Sequence, residues 1–584
     1  MKNEEQVWEL IENKKEDYIK FSDQIFDTPE ILYQEFKSVL EHINMLKKEG
    51  FKITENICDI PTAVMGEYGE DGPTIAILGE FDALPGLSQE AGIAEHKPIE
   101  NIKNGHGCGH NLLGAASLLA ATAIKDWIIK NNIKARVRYY GCPAEEGGAA
   151  KTYMARDGFF NDVDVAICWH PATFNSVNKP ISLANSRIDF TFFGKAAHAA
   201  TAPHLGRSAL DAIELMNVGV NYMREHMPDS ARVHYAYMDT GGNAANVVHA
   251  KATIRHLIRA SNLMELRSLV DRVYKIADGA ALMTETRVEK KVFSGVSNLL
   301  GNKPLEKIMQ YEWDKLGPVQ FDKNDLDFAN KIRSTFTKTE ILDSFQRIGI
   351  KAPLDLALCD FVAPLDSSNN GGIGSTDVGD VSWVVPTVQA RVATCAVGTP
   401  FHTWQTVAQG KSAAAHKGMI HAAKIMASTA STLIKNPKKI DEAKKEFDDQ
   451  ISRNPYICPI LYFINTTKVI IRFMMKRHVW LNKNDLDNDK ILRLQVLSRQ
   501  KGARYASAAF LTGSLDIDKN KKWWISNTKK IQEMSTLVIP KDSPKKSLSE
   551  MEVLSDSIKD VLYLRGRLGC HEEFGEEIAK RLFY

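Results

Sequence analysis

Apolar and polar positions along this chain switch between two periods. Residues 74–78 (Thr-Ile-Ala-Ile-Leu) form a nearly unbroken apolar run, residues 135–140 (Ala-Arg-Val-Arg-Tyr-Tyr) alternate, and residues 163–168 are mostly apolar, so each predicts a strand. The small-residue run after Asn111 predicts a buried helix between the first two, and the opening Met1-Lys2-Asn3-Glu4-Glu5-Gln6-Val7-Trp8 predicts an amphipathic helix. Strands that alternate with helices predict an α/β sheet covered by helices. From about residue 187 the order changes to strand 187–193, helix 207–225, strands 232–239 and 251–259, helix 263–278 and strand 284–292. That order is ferredoxin-like.

Composition narrows the class. At 584 residues the chain exceeds the size at which a single core stops growing, so two or more domains are expected. A formal net charge of +2 carries no nucleic-acid signature, and 44% hydrophobic residues is ordinary for a soluble globular protein. The eight cysteines lack paired spacing, which argues against a disulfide framework and for a reducing, cytoplasmic setting. The first residues lack the apolar core of a secretory signal, and the apolar run 457–475 contains Lys468 and Arg472, so neither a leader nor a membrane span is expected.

Candidate chemistry collects where the predicted strands end. The stretch Asn104-Gly105-His106-Gly107-Cys108-Gly109-His110-Asn111 sets a thiol and an imidazole two residues apart in a glycine-rich turn. One intervening glycine lets both donors point the same way, and thiolate with imidazole suits zinc or a similar divalent ion. The same pair also reads as a buried cysteine beside a structural histidine. Further donors follow in Pro143-Ala144-Glu145-Glu146-Gly147-Gly148, Cys168-Trp169-His170-Pro171 and Phe401-His402-Thr403-Trp404. Adjacent glutamates commonly form a solvated turn. Here proline and glycine flank them instead of other charges, and metal-assisted hydrolysis needs one carboxylate as ligand and another to move a proton.

Taken together, Glu80-Phe81-Asp82-Ala83-Leu84-Pro85-Gly86, the Gly105 to His110 turn, Pro143 to Gly148, Trp169-His170-Pro171 and Phe401 to Gln405 resemble the dimetal metallopeptidase family of aminoacylases, auxin-conjugate amidohydrolases and carboxypeptidase G-type enzymes. Ser375-Thr376-Asp377-Val378-Gly379-Asp380-Val381-Ser382-Trp383 and His402-Thr403-Trp404-Gln405 make the p-aminobenzoyl-glutamate hydrolase branch, with its dipeptidases, the nearest likeness, over roughly residues 1 to 435. The resemblance implies two divalent metal ions, zinc or manganese, held by Cys108, His110, Glu146, His170 and His402, with Cys108 bridging and Glu145 as general base. Asp82 would stand behind a metal-bound imidazole and fix its tautomer; its other reading is a turn-capping aspartate.

The resemblance also implies a lid and dimerisation domain inserted into the catalytic domain, giving the divisions 1–186, 187–294 and 295–434. Within the lid, His198 of Gly194-Lys195-Ala196-Ala197-His198 would reach a neighbouring subunit's site and stabilise the oxyanion, while Asn246 and Arg259 would hold the substrate's carbonyl and carboxylate. Arg259 reads equally as a strand-end surface arginine. Two departures from relatives stand out: Glu80 occupies the place of a metal histidine, and Asn111 that of an aspartate.

Residues 435–449 are charged and either linker-like or helical. The remainder to residue 584 resembles the lid and C-terminal third of an α/β-hydrolase, with Asp542 and His571 loosely at the positions of the late acid and histidine. No Gly-x-Ser-x-Gly elbow occurs, and such a triad without its serine cannot acylate. The expectation is therefore a dimetal amidohydrolase acting on N-acyl amino acids or dipeptides, with a small-molecule amide substrate and assembly as a homodimer or hetero-oligomer through the lid. The alternatives are a non-catalytic partner subunit or a serine hydrolase built on the tail.

Overall fold

Parity along the strands sorts the core into two faces. In the computed structural model, which describes residues 3–350, 354–367, 374–460 and the short strands Leu537–Pro540 and Val561–Leu564, the chain divides into a unit Met1–Arg453 and a unit Asn454–Tyr584. The first unit holds strands β1 (Lys52–Glu55), β2 (Val64–Tyr68), β3 (Thr74–Glu80), β4 (Arg136–Cys142), β5 (Val165–Ala172) and β6 (Ser176–Val177). Strands β7 (Ala184–Phe193), β8 (Arg232–Asp239), β9 (Lys251–Ala260) and β10 (Arg287–Val296) follow, then β11 (Thr387–Ala393). A mixed seven-stranded sheet runs β1-β2-β4-β3-β5-β11-β6, with β4, β3, β5 and β11 parallel and the outer strands antiparallel. Ile75, Ile77, Val137, Tyr139, Val165, Ile167 and Trp169 pack on one face against the helices His110–Asn131 and Ala413–Lys435. Their neighbours Ala76, Leu78, Tyr140, Cys142, Ala166 and Cys168 pack on the other, against Met154, Phe160, Val378 and Val381. A sheet buried on both faces reads as unbroken apolar runs, which is why β3 is buried at all seven positions.

The helix His110–Asn131 is the one described helix long and apolar enough to cross a membrane, and 89% of its apolar window is buried inside the protein. It is apolar on all sides because it is packed on all sides. It lies so close to β3 that a Cβ on Gly114 would stand 2.7 Å from the Glu80 carbonyl oxygen and 2.8 Å from His42 Nε2.

The second sheet of this unit runs β8-β9-β7-β10, all antiparallel, with helices Ala209–Met223 and Leu263–Met283 on one side. Strand, helix, two strands, helix and strand in that spatial order make the ferredoxin-like arrangement. Ser208 and Asn262 cap the two helices through side-chain acceptors.

Residues Pro437–Arg453, in the charged stretch read as either linker-like or helical, form a helix of the first unit. It buries Ile440 and Ala443 against the helix Lys303–Leu316, and Asn302 Nδ2 donates to the Ala443 carbonyl at 2.8 Å. Apolar residues three apart on one helical face outweigh the surrounding charges. In the second unit, Leu537–Pro540 and Val561–Leu564 pair in parallel; the hydrolase-like motifs of the tail, with Asp542 and His571, lie outside the described residues.

Gly114→Ala forces the helix off β3, because the atom it meets is backbone. Urea unfolding of the metal-free protein should show a loss of about 1–3 kcal/mol, the usual cost of overpacking.

Candidate metal centre

The parallel strands deliver their chemistry at their carboxyl ends, where open α/β sheets keep their sites. β3 ends on Glu80 and runs into Asp82. β4 ends on Cys142, two residues before the turn that carries Glu145 and Glu146, and β5 carries His170. The turn before the long helix supplies Cys108, with Gly109 at φ +72° as N-cap and His110 as the first helical residue.

Two backbone devices hold the donor-bearing loops. Ala144 and Ala149, at φ +56° and +60°, bracket Glu145 and Glu146, and the amides of Gly148 and Ala149 both donate to the Ala144 carbonyl at 2.8 Å. The turn packs so tightly that a Cβ on Gly148 would stand 2.3 Å from the Tyr33 ring. His402 also sits in the left-handed region, at φ +64°, and its amide donates to the Gly107 carbonyl at 2.8 Å. This bond fastens the last donor loop to the Cys108 turn. Non-glycine residues in this region are strained and persist where surrounding contacts over-determine them.

The five expected donors meet in two groups that share one member. Ligand atoms of Cys108, His110 and His170 lie within 4.8 Å of one another, and so do those of Cys108, Glu146 and His402. Cys108 Sγ is 3.3 Å from His170 Nε2, and His402 Nε2 is 3.1 Å from Glu146 Oε1. A third group joins Glu80, His110 and Glu145 within the same limit. The buried atoms Glu146 Oε1, His110 Nε2 and Glu80 Oε2 have other members of these groups as near neighbours, His402 Nε2 for Glu146 and each other for His110 and Glu80. Ligand atoms converging on one another in this way fit a cation, and a thiolate, imidazoles and a carboxylate are the donor set of zinc and its neighbours.

Asp82 connects two of the donor segments. It is 2% exposed; Oδ1 lies 2.9 Å from His110 Nδ1, and Oδ2 accepts the Glu146 amide at 3.0 Å. The carboxylate assigns the proton to Nδ1 and leaves Nε2 facing the other donors.

Titration in the metal-free protein reflects these contacts. Burial alone would lower His110, but Asp82 and Cys108 outweigh it and hold the imidazole well above its ordinary range. Bonds to Cys108 and Glu146 push His402 up to about 10. Burial, with Arg391 adding to it, keeps His170 well below its ordinary value. Burial raises Glu145 well above the usual carboxylate range, helped by Glu80 and Glu146. A metal ion must displace protons from His110 and His402, so binding weakens as pH falls.

The three residues expected to complete the site from the second sheet stand apart from this cluster. His198 is exposed, and its Nδ1 accepts the amides of Ala200 and Thr201 at 3.2 Å each, which assigns a proton to Nε2. Asn246 is exposed, and its carbonyl accepts the Ala199 amide at 2.9 Å. Arg259 is half-buried with an unpartnered Nε. Among the described residues, no hydrogen bond or ion pair joins these three to the five donors.

Several supporting residues were not singled out from sequence. Arg187 of β7 donates to the Glu146 and Gly147 carbonyls at 2.9 and 3.0 Å. Glu35 accepts the Ala144 amide at 3.0 Å and the Tyr33 amide at 3.1 Å. Lys151, wholly buried, contacts Glu80 Oε1 at 2.7 Å and Asp377 Oδ1 at 2.5 Å. The sequence signal for Lys151 is a lone lysine in a small-residue run after the glutamate pair. Asn111 is explained by its donors: Nδ2 reaches Ser22 Oγ and the Gly410 carbonyl at 3.1 Å each, and an aspartate would face that carbonyl with no proton to give.

No family model matches the chain. It is 43% identical over 462 residues to the B-type subunit of p-aminobenzoyl-glutamate hydrolase from Escherichia coli (strain K12), covering 77% of this chain and 96% of that protein. It is 26% identical over 454 residues to the Xaa-Arg dipeptidase of Mus musculus, covering 75% and 90% respectively. Among solved structures, an aminohydrolase from methicillin-resistant Staphylococcus aureus superposes with a TM-score of 0.53 at 15% identity, covering 75% of this chain and 99% of that one.

Glu35 gives the turn a pH signature. Burial, with Asp82 adding to it, pushes its carboxyl up to about 7, so the folded protein keeps a proton that the unfolded chain releases near 4.5. Stability from this group is full below about pH 4.5 and is lost as pH rises to about 7. Glu35→Gln should flatten that slope, by an amount on the order of 3 kcal/mol across the window, when unfolding of metal-free wild type and variant is compared from pH 4.5 to 8.

Proposed function

The chain belongs to the p-aminobenzoyl-glutamate hydrolase branch of the aminoacylase and carboxypeptidase G-type metallopeptidases and is a metal-dependent amide hydrolase; from that premise we propose that Cys108, His110, Glu146, His170 and His402 hold two divalent ions beside Glu145. The observation that carries this reading is the pair of donor groups meeting at Cys108, with Glu145 in the adjoining group. Bound there, the ions supply Lewis-acid polarisation and a lowered pKa for water. Zinc and manganese both suit the donors.

Glu145 is the group that moves the proton. It accepts one from the attacking water at its carboxylate and returns it to the leaving amine nitrogen, and its buried setting, with Glu80 and Glu146 nearby, raises its proton affinity above that of an ordinary carboxylate. Asp82 orients His110 and the Glu146 amide together. Arg187 keeps the turn in place by binding two of its carbonyls.

His198, Asn246 and Arg259 complete the site from the residue 187–294 domain, with 1–186 and 295–434 forming the catalytic domain. His198 carries its proton on the exposed Nε2, which suits donation to a developing oxyanion in a neighbouring subunit. Arg259 recognises the carboxylate of the released amino acid. The substrates to try first are p-aminobenzoyl-glutamate, other acyl-glutamates and dipeptides with a basic residue, after the activities named for the two relatives. The bacterial relative is one kind of subunit of its enzyme, which favours assembly with a second kind of chain, whereas lid pairing favours a homodimer. The free thiols of Cys58, Cys108, Cys142, Cys168, Cys359 and Cys395 suit the cytoplasm.

Glu145→Gln should retain both ions by elemental analysis while turnover falls about 10²- to 10⁴-fold; near-wild-type turnover would remove Glu145 from the reaction. Arg259→Ala should raise KM for acyl-glutamates about tenfold or more and leave kcat nearly unchanged, as expected for lost uniform binding. An equal fall in kcat would refute that role.

A further inference from the structure

Glu80 lies outside the five-donor set, yet it is built like a ligand. It is 4% exposed at the end of β3, and its two oxygens have different surroundings. Oε1 is taken by Lys151 Nζ at 2.7 Å. Oε2 has no hydrogen-bond partner and stands 3.3 Å from His110 Nε2, which also has none. Asp82 occupies the far side of the same imidazole at 2.9 Å, so Nε2 is aimed at the free carboxylate oxygen. A buried nitrogen and carboxylate oxygen set this close need a positive centre between them, a proton on Nε2 in the metal-free protein or an ion in its place. Two donors each about 2.1 Å from one ion at a near-tetrahedral angle stand about 3.4 Å apart, close to the observed separation.

The charge inventory points the same way. Lys151 is wholly buried between Glu80 and Asp377, so one ammonium faces two carboxylates that are themselves 0–5% exposed in their side chains. Asp377 takes both the Lys151 Nζ, at 2.5 Å, and its backbone amide, at 3.0 Å. One ammonium shared by two carboxylates neutralises Glu80 only in part and leaves its second oxygen directed at His110. A buried charge left in that state is costly without a counter-cation.

We infer that Glu80 Oε2 is a further direct ligand, binding the same ion as His110 Nε2, with Lys151 holding the carboxylate in its single-oxygen orientation. The inference rests on the proposed ligand set and adds one donor to it. Cys108 and Glu146 supply two negative charges, and Glu80 brings a third towards the four positive charges of two divalent ions.

The test begins with the wild-type protein loaded with zinc and its crystal structure phased on the zinc edge. Glu80 Oε2 is expected within about 2.0–2.2 Å of the ion bound by His110. Zinc titration calorimetry on metal-free Glu80→Gln follows; the amide keeps an oxygen for Lys151 but removes the anionic donor. One of the two zinc affinities should fall at least about tenfold, the smallest loss usual even for groups that only support a ligand. An Oε2 distance beyond about 2.6 Å, or a loss smaller than tenfold, overturns the assignment while leaving the five-donor site intact. Wild-type protein that binds no zinc overturns the five-donor site as well, so the two failures are distinguishable.

Discussion

The bond pair made by Asp82 is the constraint on which the site depends. One carboxylate accepts from the imidazole that begins the long helix and from the amide of the glutamate that follows β4. These two segments are far apart in sequence and reach the same place because β3, from which Asp82 emerges, lies beside β4 and beneath that helix. Burial makes the arrangement effective. At 2% exposure the carboxylate is not shared with water, so its two acceptor sites go to the two donors that define the cluster.

Around this link the protein keeps an unusual density of buried charge. Lys151, Arg187 and Arg391 approach the cluster from three elements: the helix Ala150–Arg156, the first strand of the lid sheet, and β11. They answer the carboxylates of Glu80, Asp377 and the glutamate pair. Such cations are expensive to bury, and each is compensated by specific acceptors: two carboxylates for Lys151, two carbonyls for Arg187, and Asn178 for Arg391. The result is a buried cluster of carboxylates, imidazoles and a thiol partly balanced by these cations. Such an arrangement suits the cation pair and proton transfer proposed above.

The second sheet follows a separate logic. Its helices and strands bury one face, while β8 at the sheet edge leaves Tyr235, Tyr237 and Met238 exposed. His198 and Asn246 sit on neighbouring exposed segments joined by backbone bonds, away from the donors. Their isolation within one chain is a matter of connectivity: β7 leaves the catalytic half beside the glutamate turn through Arg187, but the loops bearing His198 and Asn246 lie past its far end.

The pattern of apolar residues located the three central parallel strands β3, β4 and β5 and the chain order of the second sheet, because strand and helix periods are local and the buried strands have few polar interruptions; the edge strands, β11 and the strand order of the large sheet were not legible in it. The expected donors Cys108, His110, Glu146, His170 and His402 stood out as residue types beside predicted strand ends, since metal binding demands uncommon side chains. Other features depended on distance and burial. Helix Pro437–Arg453 reads as linker or helix alike until Ile440 and Ala443 find a face to cover. Glu35, Lys151 and Arg187 are ordinary charged residues in sequence and acquire meaning only where folding removes water and turns one toward another. Local periodicity is written residue by residue, whereas the pairing of buried charges is decided by which strand ends the sheet topology sets side by side.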